Sequence, residues 1–165
     1  MAVFASLVVG ADGSTTKGGN SRGITSGVDR TAFLARRRSA DFLLIGGETA
    51  RNEPYHRTPV PVVVVSHSMI NALADNRMAY WWNLSPSAAL VKGIKKFGDK
   101  VLVESGPSII DDLLMNKTLD GIYLSITDVT GGENRIDTAA LLANFVEVNL
   151  QEIEGTQFIE ARTRK

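Results

Sequence analysis

The stretch "FLLIGGETARNEPY", Phe42 to Tyr55, decides the fold. Four apolar residues run straight into Gly46 and Gly47, and a polar cluster follows. "VLVESGPSII", Val101 to Ile110, repeats the plan: an apolar run, a small polar corner at Ser105–Gly106, then apolar residues at helical spacing. Short apolar runs bounded by glycine read as strands buried on both faces, which is the habit of parallel sheets. A glycine corner lets a ligand approach the backbone, and the helix that follows offers unpaired N–H groups and a positive dipole end. Ligands of parallel sheets bind at such strand ends. Gly46, Gly47 and the Thr49 hydroxyl at one corner, with Ser105, Gly106, Pro107 and Ser108 at the other, form two anion-friendly corners fit for a pyrophosphate. A glycine at a strand end is also simply a tight turn, and that reading stands beside the first.

Outward from these corners, strands and helices alternate. Val3 to Val9 reads as a strand, and "GADGSTTKGGNSRG" as a long loop of the kind that is functional or mobile. "ITSGVDRTAFLARRRSA" reads as a helix capped by Thr25 or Ser26, with Val28, Phe33 and Leu34 as its apolar face. "VPVVVVS" is a strand, "SPSAALVKGIKKFG" a helix with a serine start and glycine stop, and "KVLVES" a strand. "GPSIIDDLLMNKT" is a helix opened by proline, "GIYLSIT" a strand and "DTAALLANF" a short helix. The tail "VEVNLQEIEGTQFIEARTRK" alternates about a glycine and reads as an antiparallel hairpin. "RMAYWWN", Arg77 to Asn83, fits a short strand or a packed loop equally. The expectation is an α/β fold in residues 1–165, one domain with a mainly parallel central sheet, flanking helices and a C-terminal antiparallel hairpin.

Composition narrows the function. Eighteen basic residues balance eighteen acidic ones, so nothing demands a nucleic-acid partner. Cysteine is absent, which excludes disulfides, thiolate catalysis and cysteine-ligated zinc, and fits a reducing, cytoplasmic setting. The apolar N-terminus lacks a basic flank and reads as a strand rather than a signal peptide, and no run approaches the ~20 apolar residues of a membrane span. His56 and His67 lack ligand spacing, so no metal is expected. "GNSRG" matches the letters of a nucleophile elbow, but a polar loop rather than a strand precedes Ser21. GxGxxG and the P-loop signature are both missing. The "VPVVVVS" strand ends "SHS" with no acid, so Ser66 and its neighbours would tolerate a ribose 2′-phosphate better than a carboxylate would. A plain polar strand end explains "SHS" as well.

The order of "ADG", "ITS", "ADFLLIGGETARNEP", "VLVESGPSIIDDLL" and "LDGIYLSI" resembles the reductase domain of riboflavin biosynthesis. That domain is the C-terminal half of the bifunctional deaminase–reductase and a relative of dihydrofolate reductase. The resemblance spans nearly the whole chain, which begins at the first strand and so reads as a stand-alone reductase. It implies a dihydrofolate-reductase-like fold, NADPH as hydride donor, and a phosphoribosylamino-pyrimidine whose ribosyl group is reduced to ribityl. It implies cofactor contacts at Thr49, Asn52 and the turn and helix start from Gly106 through Ile109 to Asp112. It implies substrate contacts at or near Ser21, Arg37, His56, Arg57 and Glu104, and generally a homodimer. The chain departs from the family in four places: Asn52–Glu53 stands where two acids often precede the proline, "ESGP" replaces "EGGP", Gly23 stands where an aromatic residue is common, and the span from Ser66 to Lys100 is compressed. Glu104 is the candidate for orienting or protonating the substrate, and Asp12 on the long loop is a second. A helix-start acid that serves the dipole is the structural alternative for Glu104. A reductase of a pterin or another carbonyl compound, and a non-catalytic nucleotide-binding relative, remain alternative functions.

Overall fold

The structure, a computed structural model, describes residues 2–164. Its strands are β1 Ala2–Val9, β2 Phe42–Gly46, β3 Val62–Val65, β4 Ala79–Trp82, β5 Lys100–Val103, β6 Gly121–Ile126, β7 Glu147–Ile153 and β8 Thr156–Arg162. Its helices are α1 Gly27–Ser39, α2 Gly47–Asn52, α3 Pro86–Phe97, α4 Pro107–Met115 and α5 Thr138–Leu142, with one 3-10 turn at Ser21–Gly23. All eight strands form one sheet in the order β4-β3-β2-β5-β1-β6-β8-β7. The first six in that order run parallel, and β8 turns the sheet antiparallel at β6. The α/β fold with a mainly parallel sheet and closing hairpin is therefore as the sequence implied.

The central strands bury both faces because helices cover both. Phe42, Leu44, Val63 and Val103 pack under α3 and α4, while Leu43, Ile45, Val62, Val64 and Leu102 pack on the face that carries α2. Alternation along each run thus feeds two cores, and this is why "FLLI" and "VVVV" contain no polar residue. Arg36 of α1 stacks 4.6 Å from the Tyr123 ring, which puts α1 on the second face as well.

The structure departs from the sequence reading in α1. Val28, Phe33 and Leu34 are only half-buried, and the residues α1 buries are Asp29 and Arg37. The inner side of this helix faces a cavity rather than a core, and Phe33 and Leu34 line that cavity together with Asp29 and Arg37. "RMAYWWN" contains a true strand, β4, paired with β3 from Val62–Ala79 to Val65–Trp82. It forms the edge opposite the hairpin. Tyr80 to Trp82 are therefore a full sheet's width from β7 and cannot fold over it.

The hairpin turns through Glu154 and Gly155, both at positive φ (49° and 80°), the mirror-image turn that suits the twist of antiparallel strands. All seven residues of β7 are exposed, Val148 and Leu150 among them. The loop from Gly10 to Gly23 is bonded within itself, Gly10 N–H to Ser14 O and Lys17 N–H to Asn20 O, and is also tied to the 129–136 segment. Ala11 N–H donates to Val129 O, and Thr16 bridges Glu133. No helix among the described residues is long and apolar enough to cross a membrane.

Candidate active site

β3, β2 and β5 are consecutive in the sheet and parallel, so the two glycine corners and Ser66 share one rim. The corners touch. A Cβ added to Gly46 would lie 3.1 Å from Ile109 and 3.4 Å from the Ser105 hydroxyl, and one on Gly47 would lie 2.7 Å from the Ser66 hydroxyl. A Cβ on Gly106 would meet nothing, so the backbone there faces open space. α1, α3 and α5 are capped by the side chains of Ser26, Ser85 and Asp137, whereas α2 and α4 start at Gly46 and Gly106 without a side-chain cap. In the nine-residue α4 no acid stands in the first turn and Pro107 lacks an N–H, so the amides of Ser108 and Ile109 are left to face the rim. Uncapped amides, an open glycine and hydroxyls from Thr49, Ser66 and Ser105 fit the phosphates of a dinucleotide.

Beside this rim lies a cavity of about 510 Å³ between α1, the ends of β1 and β5, and the turn after α2. Glu104 forms its floor, 5% exposed at the end of β5. Arg37 of α1 grips it with two bonds, Nη2 to Oε1 at 2.8 Å and Nε to Oε2 at 3.2 Å. The Tyr55 hydroxyl donates to the same Oε1 at 2.7 Å. The Arg37 guanidinium lies over two rings, 4.5 Å from Phe33 and 5.0 Å from Tyr55. Burial pushes the Glu104 carboxyl up, against the opposing pull of Arg37 and Tyr55. Burial also works against the charge of Arg37, but Glu104 and Tyr55 outweigh it and hold the guanidinium above its ordinary value. Burial raises the Tyr55 phenol well above its ordinary value, so it stays a donor. A carboxylate has about four acceptor positions. The protein fills three of those on Glu104, and the remainder is available to the cavity.

Most of the charged residues in the lining are cations. Five arginines, Arg22, Arg30, Arg37, Arg38 and Arg57, share the wall with three carboxylates, Asp29, Glu53 and Glu104. Glu53 is engaged: its Oε1 accepts the Ser21 N–H at 2.6 Å, pinning the 3-10 turn of the long loop to the corner after α2. Asp29 accepts from the Thr25 hydroxyl at 2.6 Å. An anion entering here meets a surplus of guanidinium groups.

The structure brings Ser21, Arg37, Thr49, Arg57, Glu104, Ser105 and Gly106 onto one cavity wall. Gly46, Gly47, Ser66, Pro107, Ser108 and Ile109 build the adjoining rim. Three expected residues stand apart. Asn52 is exposed at the last turn of α2 and does not line the cavity. His56 points away from it: Tyr55 turns inward, and its neighbour turns out to a second cavity of about 370 Å³, where Nδ1 pairs with Asp75 at 2.7 Å. Asp12 is consumed by its own loop and the 129–136 segment. It accepts from the Ser14 N–H and hydroxyl and the Gly131 N–H, and pairs with Arg135 at 3.2 Å. Those partners, the Ser14 hydroxyl first, hold its carboxyl well below the usual range. Tyr55, Glu53, Asp29, Arg22 and Arg30 were not read from the sequence as site residues. The corner stretch hinted at one of them, since Asn52–Glu53 stands where the family often carries two acids before the proline.

No curated protein matches the chain. Among solved structures it is similar to a diaminohydroxyphosphoribosylaminopyrimidine deaminase/5-amino-6-(5-phosphoribosylamino)uracil reductase from Thermotoga maritima, with a TM-score of 0.74 at 16% identity. That match covers 99% of this chain, which spans 56% of the Thermotoga protein. It is also similar to a pyrimidine reductase-like protein from Corynebacterium diphtheriae, with a TM-score of 0.69 at 15% identity, covering 99% of this chain and 92% of that one. At these identities the likeness speaks for the fold. The family described as the RibD C-terminal domain matches residues 1–160, nearly the whole chain, and the chain belongs to that family.

Proposed function

We propose that the protein, with residues 1–165 acting as a single reductase domain, is an NADPH-dependent reductase of a phosphoribosylamino-pyrimidine, converting its ribosyl group to ribityl in riboflavin biosynthesis. The observation that carries this reading is the joining of an open, uncapped glycine rim to an arginine-rich cavity floored by a buried carboxylate. Membership of the RibD C-terminal domain family supports it.

The corners at Gly46–Gly47 and Gly106 would hold the pyrophosphate of NADPH, with Ser66 toward the 2′-phosphate. When bound, NADPH supplies the hydride that saturates C1 of the opened ribosyl group. The protein's own work is positioning and control of charge. Arg57 and Arg22 attract the substrate phosphate. The Ser21 turn, pinned by Glu53, forms part of the wall that excludes water. Glu104 offers its remaining acceptor position to the sugar, and its burial-raised pKa suits a carboxyl that exchanges a proton with substrate. A homodimer through the exposed β7 edge and a cytoplasmic setting belong to the same reading. The test is loss of nicotinamide absorbance when purified protein meets 5-amino-6-(5-phosphoribosylamino)uracil and NADPH. Turnover supports the reading. NADPH binding without turnover on this substrate, but with turnover on a pterin or simple carbonyl compound, overturns the substrate.

A further inference from the structure

The turn that carries Tyr55 has no secondary structure of its own to hold it, yet its phenol sits 2.7 Å from Glu104. The Tyr55 N–H donates to Glu53 O at 3.0 Å, and its carbonyl is held by the segment between β3 and β4. Asn76 is 8% exposed, and its Nδ2 donates to the Tyr55 carbonyl at 2.9 Å and to the Thr58 hydroxyl at 3.2 Å. Its Oδ1 accepts the Met78 N–H at 2.9 Å, so the side chain is held at both ends. The segment is itself anchored. Leu73 is fully buried against the same core as Tyr55, and the Asn76 carbonyl accepts from Ala79 N at the start of β4. A chain of contacts therefore runs from the strand edge through Asn76 and Tyr55 to a carboxylate in the cavity floor.

We propose that Asn76, outside the cavity, is a positioning residue for the site: by holding the Tyr55 backbone it sets the phenol against Glu104, and so fixes that carboxylate's orientation and its affinity for protons. The inference rests on the reading of Glu104 as the group that handles substrate. The other charged groups acting on Glu104 are Arg37 and Arg36 of α1; Arg37 faces the Tyr55 ring at 5.0 Å, whereas the Tyr55 backbone bonds to Glu53 and Asn76. Loss of the phenol contact removes one of three bonds to the charged form, which moves the Glu104 carboxyl toward the protonated state.

The experiment is carbon-13 NMR of glutamate-carboxyl-labelled protein without substrate or NADPH, with Glu104→Gln identifying the Glu104 signal. Asn76→Ser keeps the turn, because a serine hydroxyl accepts the same N–H two residues on, but is too short to reach the Tyr55 carbonyl. Tyr55→Phe is expected to displace the Glu104 signal at neutral pH and raise its titration by about one unit. Asn76→Ser is expected to displace it in the same direction, and to add nothing in the Tyr55→Phe background. A Glu104 signal unmoved by Asn76→Ser, or displacements that add in the double variant, overturns the proposal. Because the readout needs no turnover, an inactive protein with coupled signals would remove the proposed reaction and leave the positioning role. Turnover with uncoupled signals would do the reverse.

Discussion

Arg37 and Glu104 meet through the Nε and Nη2 edge of the guanidinium, with side chains only 11% and 3% exposed. Sixty-seven residues separate them in the chain, and the contact joins α1 to the end of β5 across the cavity floor. A buried pair of this kind adds little over an apolar isostere, but losing one partner strands a charge.

Arg37→Met is therefore expected to destabilise the protein by about 3 kcal/mol in urea melts. Adding Glu104→Gln should restore roughly half of that loss, since the stranded charge is gone. Full additivity of the two substitutions would show that the pair does not act as a unit.

The pH dependence of stability follows from burial of Glu104. Its folded pKa lies above the unfolded value, so over that window the native state holds more protons than the unfolded one. Stability then falls as pH rises from about 4.3, the ordinary glutamate value, through the folded pKa. Glu104→Gln should remove this descending slope in chemical denaturation measured across that range. Parallel slopes in both proteins would count against the shift.

Asp12 carries the opposite sign. Its folded pKa is depressed, so its contribution is present above the unfolded value of about 3.9 and is lost as pH falls through the folded pKa. Asp12→Ala at neutral pH should speed hydrogen exchange at the Ser14 and Gly131 amides roughly tenfold. It should leave turnover within about twofold of the parent, since the carboxylate staples a loop and does not line the cavity. A collapse of turnover with unchanged exchange would return Asp12 to the chemistry.

The glycine corners separate stability from binding. Gly106 has φ −71°, and its missing Cβ would face open space, so Gly106→Ala should keep stability within about 0.5 kcal/mol. The same methyl would stand where a phosphate meets the backbone, and calorimetry should show NADPH affinity falling at least about tenfold. Gly47→Ala forces a Cβ to 2.7 Å from the Ser66 hydroxyl and should cost about 1–3 kcal/mol before any ligand is added. Undiminished NADPH binding by Gly106→Ala would move the pyrophosphate elsewhere.

Light scattering tests the exposed edge. Val148 and Leu150 on β7 are 50% and 62% exposed, and an uncovered strand with apolar side chains invites a second copy about a two-fold axis. A mass near twice 17.8 kDa is expected for the parent, and one near 17.8 kDa for Leu150→Glu. A parent mass near the monomer value would remove the dimer.

Much of this protein was legible locally. The runs Phe42–Ile45 and Val101–Val103 announced doubly buried strands, the glycines after them announced corners, and Glu154–Gly155 announced a hairpin turn. These features depend on the periodicity of a few residues and on glycine's freedom, which any short window of sequence contains. The apolar face of α1 misled because periodicity reports which residues avoid water on average, whereas a cavity wall demands polar residues at buried positions. Asp29 and Arg37 occupy those positions.

The alternation of strand and helix, the parallel class of the sheet and the two glycine corners were all written in short windows of residues. Folding in three dimensions made β2 and β5 neighbours and brought Arg37, Tyr55 and Glu104 together. It also decided that His56 turns outward to Asp75, that Asp12 is spent on its own loop and the 129–136 segment, and that Asn76 reaches the Tyr55 turn. The physical reason is that strand order and side-chain convergence are set by the summed packing of whole faces. Two residues sixty-seven apart carry no mark of each other until the sheet between them has closed.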